Sequence, residues 1–480
     1  MPDDLRAWLK KIEAVGELKV VEGADWDLEL GCRTALDWNN WRNAPALLFD
    51  NIKGYPPGHR VLTNFVMAPS RVALTVGLPQ GLSDRGRMDA LRDRIDGWHS
   101  TMGDFPPVTV KTGPVMENVV SGKDVDVFKF PAPKWQEHDG GRYIGTGHAV
   151  ITRDLDTGEV NLGCYRVQAY DERTVGIYSE RGKHGWLDMQ KYHERGLPCP
   201  VAISLGHHPL FFLIAALALK RSEKDKAHEY QFIGAIRGEP VEVIEEEVTG
   251  LPIPADSEIV MVGWSPPGKT RMEGPFGEFT GYYASGEVQR PVIEIERIYY
   301  RNKPILTGAP PSRPPHGWFY FVTLMKSVTL EHQLREIGVP DVRGLWLHES
   351  PGNLFVTVSI KQRYAGHARQ AALAALDLAA RAGIGGRYVI VTDEDVDVTN
   401  ISDILWALTT RSDPERSIDI IRDYRSASLD PIIRKPAATF SGSCAIINAC
   451  KPYEWMNEFP RAIAFSPEVV KRVKEKYGLK

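Results

Sequence analysis

No C-x-x-C pair occurs among the five cysteines of this 480-residue chain: Cys32, Cys164, Cys199, Cys444 and Cys450. An odd, scattered set argues against a disulfide framework and fits free thiols in a reducing compartment. Long hydrophobic runs are missing too. The longest, Leu210 to Leu219, is ten residues and is stopped by Lys220, half of what a membrane-spanning helix needs. The opening Met-Pro-Asp-Asp-Leu-Arg lacks the basic stretch and apolar core of a secretion signal. Neither sign of charge dominates: 58 Lys and Arg against 62 Asp and Glu leave −4, no electrostatic footprint for nucleic acid. These absences lead us to expect a soluble, cytoplasmic protein that binds neither membrane nor nucleic acid.

Familiar signatures are absent as well. There is no G-x-G-x-x-G, no Walker A lysine loop, no G-x-S-x-G and no H-E-x-x-H. Asp393-Glu-Asp-Val-Asp397 lacks the glycine and the closing glutamate of a calcium loop. His207 and His208 are adjacent, so in a regular element they point apart, and they read as structural.

What is present suggests two or three domains, since 480 residues exceed one ordinary core. Leu5, Trp8, Leu9 and Ile12 recur at helical spacing until Gly16. Arg85 to Gly97 reads as a charged surface helix, and the Phe105-Pro-Pro107 break sets a boundary near 110. Residues 111–315 form a β-rich stretch with inserted helices, read as a barrel or sandwich. Its strands include His148–Thr152, Asn161–Gln168, Ile259–Gly263 and Val292–Tyr299; its helices are Leu187–Arg195 and a run ending at Lys220. A proline cluster, Pro310, Pro311, Pro314 and Pro315, ends it. A linking helix over 316–340 leads to residues 341–480, where strand, helix and strand alternate as in a smaller α/β domain. A basic helix, Pro467 to Tyr477, closes the chain.

The stretch that organises the rest is Arg271-Met-Glu273-Gly-Pro-Phe-Gly-Glu278-Phe-Thr-Gly-Tyr-Tyr283. Pro275 and two glycines oppose a helix. Read as a preset loop, the stretch aims Glu273 and Glu278 at one cavity, where aromatic walls raise a carboxyl pKa. Read plainly, it is a polar surface turn. Upstream, Asn161-Leu-Gly-Cys-Tyr-Arg166 places an asparagine and an arginine on opposite faces of one strand. Arg166 is a natural clamp for a substrate carboxylate, or else a salt-bridged structural residue. Asn161, His184 in the Arg181–Gly185 turn, and Glu229 after a charged linker offer an O, N, O set suited to Mn²⁺ or Mg²⁺. Spacing alone does not bring them together. Lys361, at a strand end, is either solvated or reaches a phosphate.

These motifs together resemble the UbiD-like decarboxylases, which use prenylated FMN. The Glu273–Tyr283 loop, Asn161–Arg166, Gly145-Thr-Gly147 with Ile151-Thr-Arg153, and Asp393–Asp397 with Ile404–Leu408 carry the likeness across nearly the whole chain. The resemblance implies an α/β (α+β) fold with an N-terminal segment, a central split-barrel flavin domain and a C-terminal oligomerisation domain. It also implies roles by position. Arg166 holds the substrate carboxylate, Glu273 is networked to it, and Glu278 exchanges a proton with substrate. Asn161, His184 and Glu229 tie Mn²⁺ (or Mg²⁺) to the flavin phosphate beside K⁺; Lys361, Lys183 and Tyr165 contact the cofactor. A flavin prenyltransferase supplies that cofactor, and the chain assembles as a homodimer or homohexamer. The expected reaction is reversible, non-oxidative decarboxylation of an aromatic, heteroaromatic or α,β-unsaturated acid, with CO₂ as co-product. Polyprenyl-hydroxybenzoate decarboxylation, a flavin redox enzyme on the same barrel and a non-catalytic flavin subunit are the alternatives.

Overall fold

In the computed structural model, residues 3–217, 219, 228–350, 352–383, 386–426, 429–433 and 441–479 are described. Lys220 and the charged linker that follows it lie outside them. Four sheets form among the described residues, and the three larger ones carry the architecture. In the first, Leu18–Glu22, Ala46–Asp50 and Arg60–Thr63 are joined by Ile305–Gly308, which returns from far along the chain to pair in parallel with Arg60–Thr63. The opening helix, Leu5–Ala14, is capped by the Asp4 side chain and buries Leu5, Trp8, Leu9 and Ile12. The expected surface helix runs from Asp84 to Thr101, and its Met88, Leu91, Ile95 and Trp98 face are buried.

The second sheet has ten strands and curls into a half-barrel. Alternation along its strands divides two cores. On Cys199–Leu205, Val201, Ile203 and Leu205 enter the core inside the curl, whereas Ala202 joins the core beneath the helices. Ile259–Ser265 divides likewise, with Met261 to one side and Val260 and Val262 to the other. The expected single strand Asn161–Gln168 is instead two, Val160–Gly163 and Val167–Ala169, which lie near opposite ends of the strand order. The chain crosses between them at Cys164–Arg166, where Cys164 N–H bonds to the Ala215 carbonyl rather than to a sheet partner.

A long helix, Phe319–Glu336, packs on both neighbours and leads to the third sheet. There Phe355–Ile360, Tyr388–Asp393 and Ser441–Ala449 run parallel, flanked by antiparallel Val342–Leu347 and Ile418–Arg425. The helix His367–Arg381 crosses over it, burying its alanine-rich face, as the alternation predicts. The acidic run after Tyr388–Asp393 is neutralised: Arg411 bonds Asp393 and Asp395, and Lys451 bonds Asp395. Those cations hold Asp395 down to about 2 against the cost of its burial.

Candidate active site

Five adjoining strands build the floor of one cluster. Arg142–Gly145 pairs with Val167–Ala169, then Thr174–Ile177, then the start of Val288–Tyr300, then Thr270–Glu273. Register sets Tyr143 opposite Gln168, and the Arg166 carbonyl accepts from Tyr178 N–H just beyond the second pairing. Glu273 is the last residue of its strand, so its side chain is fixed by the ladder. Glu278 lies past Gly274-Pro275, in a loop closed by Glu278 N–H to the Tyr282 carbonyl and Gly281 N–H to the Glu278 carbonyl. The stretch is no helix, but only Glu278 sits on the bent loop; Glu273 ends a strand, and both carboxylates reach Arg166.

Arg166 is the hub. Its Nε and Nη2 donate to the two Glu273 oxygens at 2.7 and 2.8 Å, a bidentate fork, and its Nη1 donates to Glu278 Oε1 at 2.6 Å. Ser285 Oγ donates to the same Glu278 oxygen at 2.7 Å, and Tyr143 O–H donates to Glu273 Oε1 at 3.0 Å. Glu273 is fully buried and Glu278 is 6% exposed. Aromatic rings wall the cluster: the guanidinium lies 4.0 Å from the Tyr178 ring centre and 5.2 Å from that of Phe276, which packs on Tyr143 at 4.0 Å.

The electrostatics follow from two carboxylates sharing one guanidinium in a buried site. Burial pushes the Glu278 carboxyl up, opposed by Arg166 and Ser285 and assisted by Glu273. Arg166 itself is held more firmly protonated by both glutamates, against the cost of its burial. Behind the loop, a brace formed by residues 136–141 supports it. Gln168 Oε1 accepts from Gly274 N–H and its Nε2 donates to the Gly140 carbonyl, while Gly140 N–H bonds to the Pro275 carbonyl. The fit is close enough that a Cβ on Gly140 would sit 1.8 Å from the Gly274 oxygen. Asp139, buried in this brace, is pushed up to about 6 by desolvation.

A second centre adjoins the first across Tyr165. The turn expected to hold His184 is in fact the start of a helix, His184–Glu194, with Lys183 as its N-cap; Glu229 is in the first turn of His228–Arg237. Both helices pack on Val160–Gly163, which carries Asn161. Asn161 Nδ2 donates to Thr152 Oγ1 at 3.0 Å, and Thr152 donates to Asp188 at 2.6 Å. The Tyr165 hydroxyl accepts from Gly185 N–H at 3.0 Å. Burial pushes that phenol up to about 12, with the Gly185 and Asn161 bonds opposing and Glu229 and Asp188 adding to it. Asn161, Glu229, Tyr165 and the start of the His184 helix thus meet around one point. Among the described residues no three His, Cys, Asp or Glu side chains form a metal cluster, so the expected ligand set depends on the Asn161 amide.

Lys361 is not brought to this point. It is exposed beyond the Phe355–Ile360 strand, near the start of the His367–Arg381 helix. The lysine that comes near Lys183 is Lys326, whose Nζ donates to the Ala382 carbonyl at the other end of that 15-residue helix, about 22 Å away along its axis. Desolvation and the Lys183 charge push Lys326 down to about 8. Sequence reasoning missed Lys326, although a lone lysine inside an apolar helical pattern was a signal. It also missed Tyr143, Gln168, Tyr178 and Ser285, which become part of the cluster only through sheet register and loop closure. His207 and His208 are buried and pushed down to about 4 and about 3 by desolvation, as structural histidines are.

The half-barrel thus presents one buried arginine bonded to two glutamates, a group able to pair with a carboxylate. The sequence matches the 3-octaprenyl-4-hydroxybenzoate carboxy-lyase N-terminal domain over residues 9–91, the Rift-related domain over 107–314 and the C-terminal domain over 319–449. The chain belongs to the UbiD family of carboxy-lyases. It is 31% identical to a phenolic acid decarboxylase of Streptomyces sp. (strain D7), over 94% of this chain and 92% of that one. Its fold matches vanillic acid decarboxylase of Sedimentibacter hydroxybenzoicus in open form, at TM-score 0.84 and 30% identity, over 100% and 99% of the two chains. The UbiD-class enzyme HmfF of Pelotomaculum thermopropionicum, solved with FMN, matches at TM-score 0.84 and 25% identity over 98% of each chain. An evolved dimeric form of HmfF was solved with prFMN.

Proposed function

We propose that this protein decarboxylates an aromatic or heteroaromatic carboxylic acid, reversibly, with prenylated FMN bound beside the Arg166 cluster. The observation that carries the reading is the single guanidinium shared by Glu273 and Glu278. Losing CO₂ from an sp² carbon leaves electrons that side chains cannot hold, and the prenylated flavin supplies the sink for them. The chain's own residues do the rest. Glu273 and Tyr143 lock the Arg166 plane. Protonation of Glu278, favoured by burial, weakens its hold on Nη1 and frees that donor for the substrate carboxylate. Glu278 then gives its proton to the carbon that lost CO₂.

The residues around Tyr165 suit the cofactor. Asn161, His184 and Glu229 would hold Mn²⁺ (or Mg²⁺), with K⁺ beside it, against the flavin phosphate. Two lysines close to the start of a helix, Lys183 and Lys326, supply positive charge for the same phosphate, a role that Lys361 is badly placed to fill. A flavin prenyltransferase is required upstream. Five free cysteines favour a cytoplasmic setting, and no helix among the described residues is long and apolar enough to cross a membrane. Exposed Ile401, Leu405, Trp406 and Ile420 on the C-terminal domain favour assembly as a homodimer or homohexamer.

Protein co-expressed with a flavin prenyltransferase tests the reading when offered 4-hydroxybenzoate, vanillate and pyrrole-2-carboxylate. We expect CO₂ release from at least one acid without NAD(P)H consumption. NAD(P)H oxidation with every acid intact would support the redox alternative instead.

A further inference from the structure

Each turnover removes a proton from Glu278, and a buried carboxylate must recover it from solvent before the next. Among the described residues, two side chains donate hydrogen bonds to Glu278: Arg166 at 2.6 Å and Ser285 at 2.7 Å. Arg166 cannot serve as the source. A guanidinium does not give up its proton in a protein, and the two glutamates bind this one more tightly still. Ser285 is different in chemistry and in place. Its hydroxyl is both donor and acceptor, so it can give one proton while taking another. It lies in the segment that runs from exposed Gly281, Tyr282 and Tyr283 to exposed Gly286 and Glu287, and is itself only partly covered.

We propose that Ser285 is the proton relay between solvent and Glu278, a role that rests on the decarboxylation reading above. In one concerted step the Ser285 O–H bond breaks towards Glu278 Oε1, while the Ser285 oxygen takes a proton from a solvent acid, hydronium or a buffer acid. Serine ends unchanged, Glu278 ends neutral and the solvent acid ends as its conjugate base. A half turn of the carboxyl about Cγ–Cδ then carries the loaded oxygen away from Arg166. The weak contact from Arg166 Nη2 to Ser285 Oγ, at 3.4 Å, keeps the hydroxyl oriented with its hydrogen towards Glu278. Ser285 is thus a positioning and relay residue that acts through Glu278 rather than on substrate.

The test compares the holoenzyme's first turnover with its steady state, using the best acid of the panel above. Ser285→Ala should leave a pre-protonated first turnover much less affected than the steady state. The steady-state rate should fall at least about tenfold, part of the roughly 10²–10⁴-fold that a placed proton donor contributes. Its solvent deuterium isotope effect should rise, small buffer acids should restore rate, and Ser285→Thr should recover most of the loss. First-turnover and steady-state rates falling in parallel, or neither changing, would overturn the relay. Glu278→Gln distinguishes the underlying reading: full turnover in that variant would overturn the role of Glu278 itself.

Discussion

At the scale of single residues, the site works by competition for one guanidinium. Arg166 has five N–H donors, and the two glutamates take three of them in strong bonds. A substrate carboxylate gains access only when Glu278 loosens, which couples substrate capture to loading of the proton. Asp139 gives a separate, testable consequence of burial. Its carboxyl is raised from 3.8 to about 6, so the folded state binds this proton more tightly than the unfolded chain does. Its contribution to stability is therefore complete below about pH 4 and is lost as pH rises to about 6, by up to about 3 kcal/mol. Asp139→Asn keeps the shape without the titration. Its urea midpoint should fall less between pH 4 and 7 than that of the wild type.

At the scale of elements, the catalytic loop is held from behind by a second loop, and the closeness of the two is what fixes Glu278. Gly140→Ala forces a Cβ against the Gly274 carbonyl. We expect a loss of about 1–3 kcal/mol in stability, typical of overpacking, with a drop in turnover exceeding what that destabilisation explains. Thermal unfolding and activity measured on the same sample separate the two effects. This scale also marks the limit of what was legible in the sequence. The Glu273–Tyr283 stretch was readable because Pro275 and the glycines exclude a helix, and because its neighbours fit one family. The helices and strands of the C-terminal domain were readable because their apolar periods of about 3.6 and 2 are clean. Asn161–Gln168 reads as one strand because Val160, Leu162, Val167 and Ala169 keep strand-like spacing on either side, and a lone Gly163 does not by itself show that the chain leaves the sheet at Cys164–Arg166. Tyr143 and Gln168 left no local trace, since their roles come from pairing register between distant segments.

At the scale of the whole molecule, three parts of the chain meet beside the start of the His184 helix. Lys183 comes from the central domain, Lys326 from the connecting helix, and the Ala382 carbonyl that anchors Lys326 from the C-terminal domain. A flavin phosphate there would tie the domains together. Lys326→Met should weaken FMN retention on gel filtration and by fluorescence titration, whereas Lys361→Met should leave both unchanged. Loss in Lys361→Met with full retention in Lys326→Met would instead place the phosphate at the far end of the His367–Arg381 helix.

Glu278 supplies the hydrogen that replaces CO₂, and product labelling reads this step most directly. Wild-type holoenzyme and Glu278→Gln are incubated with the same acid in D₂O, and the product is analysed by mass spectrometry and NMR. We expect one deuterium at the carbon that bore the carboxylate in the wild type, and a roughly 10²–10⁴-fold slower reaction in the variant, with its cofactor still bound. A variant that forms the same labelled product at the wild-type rate would rule out Glu278 as the proton donor.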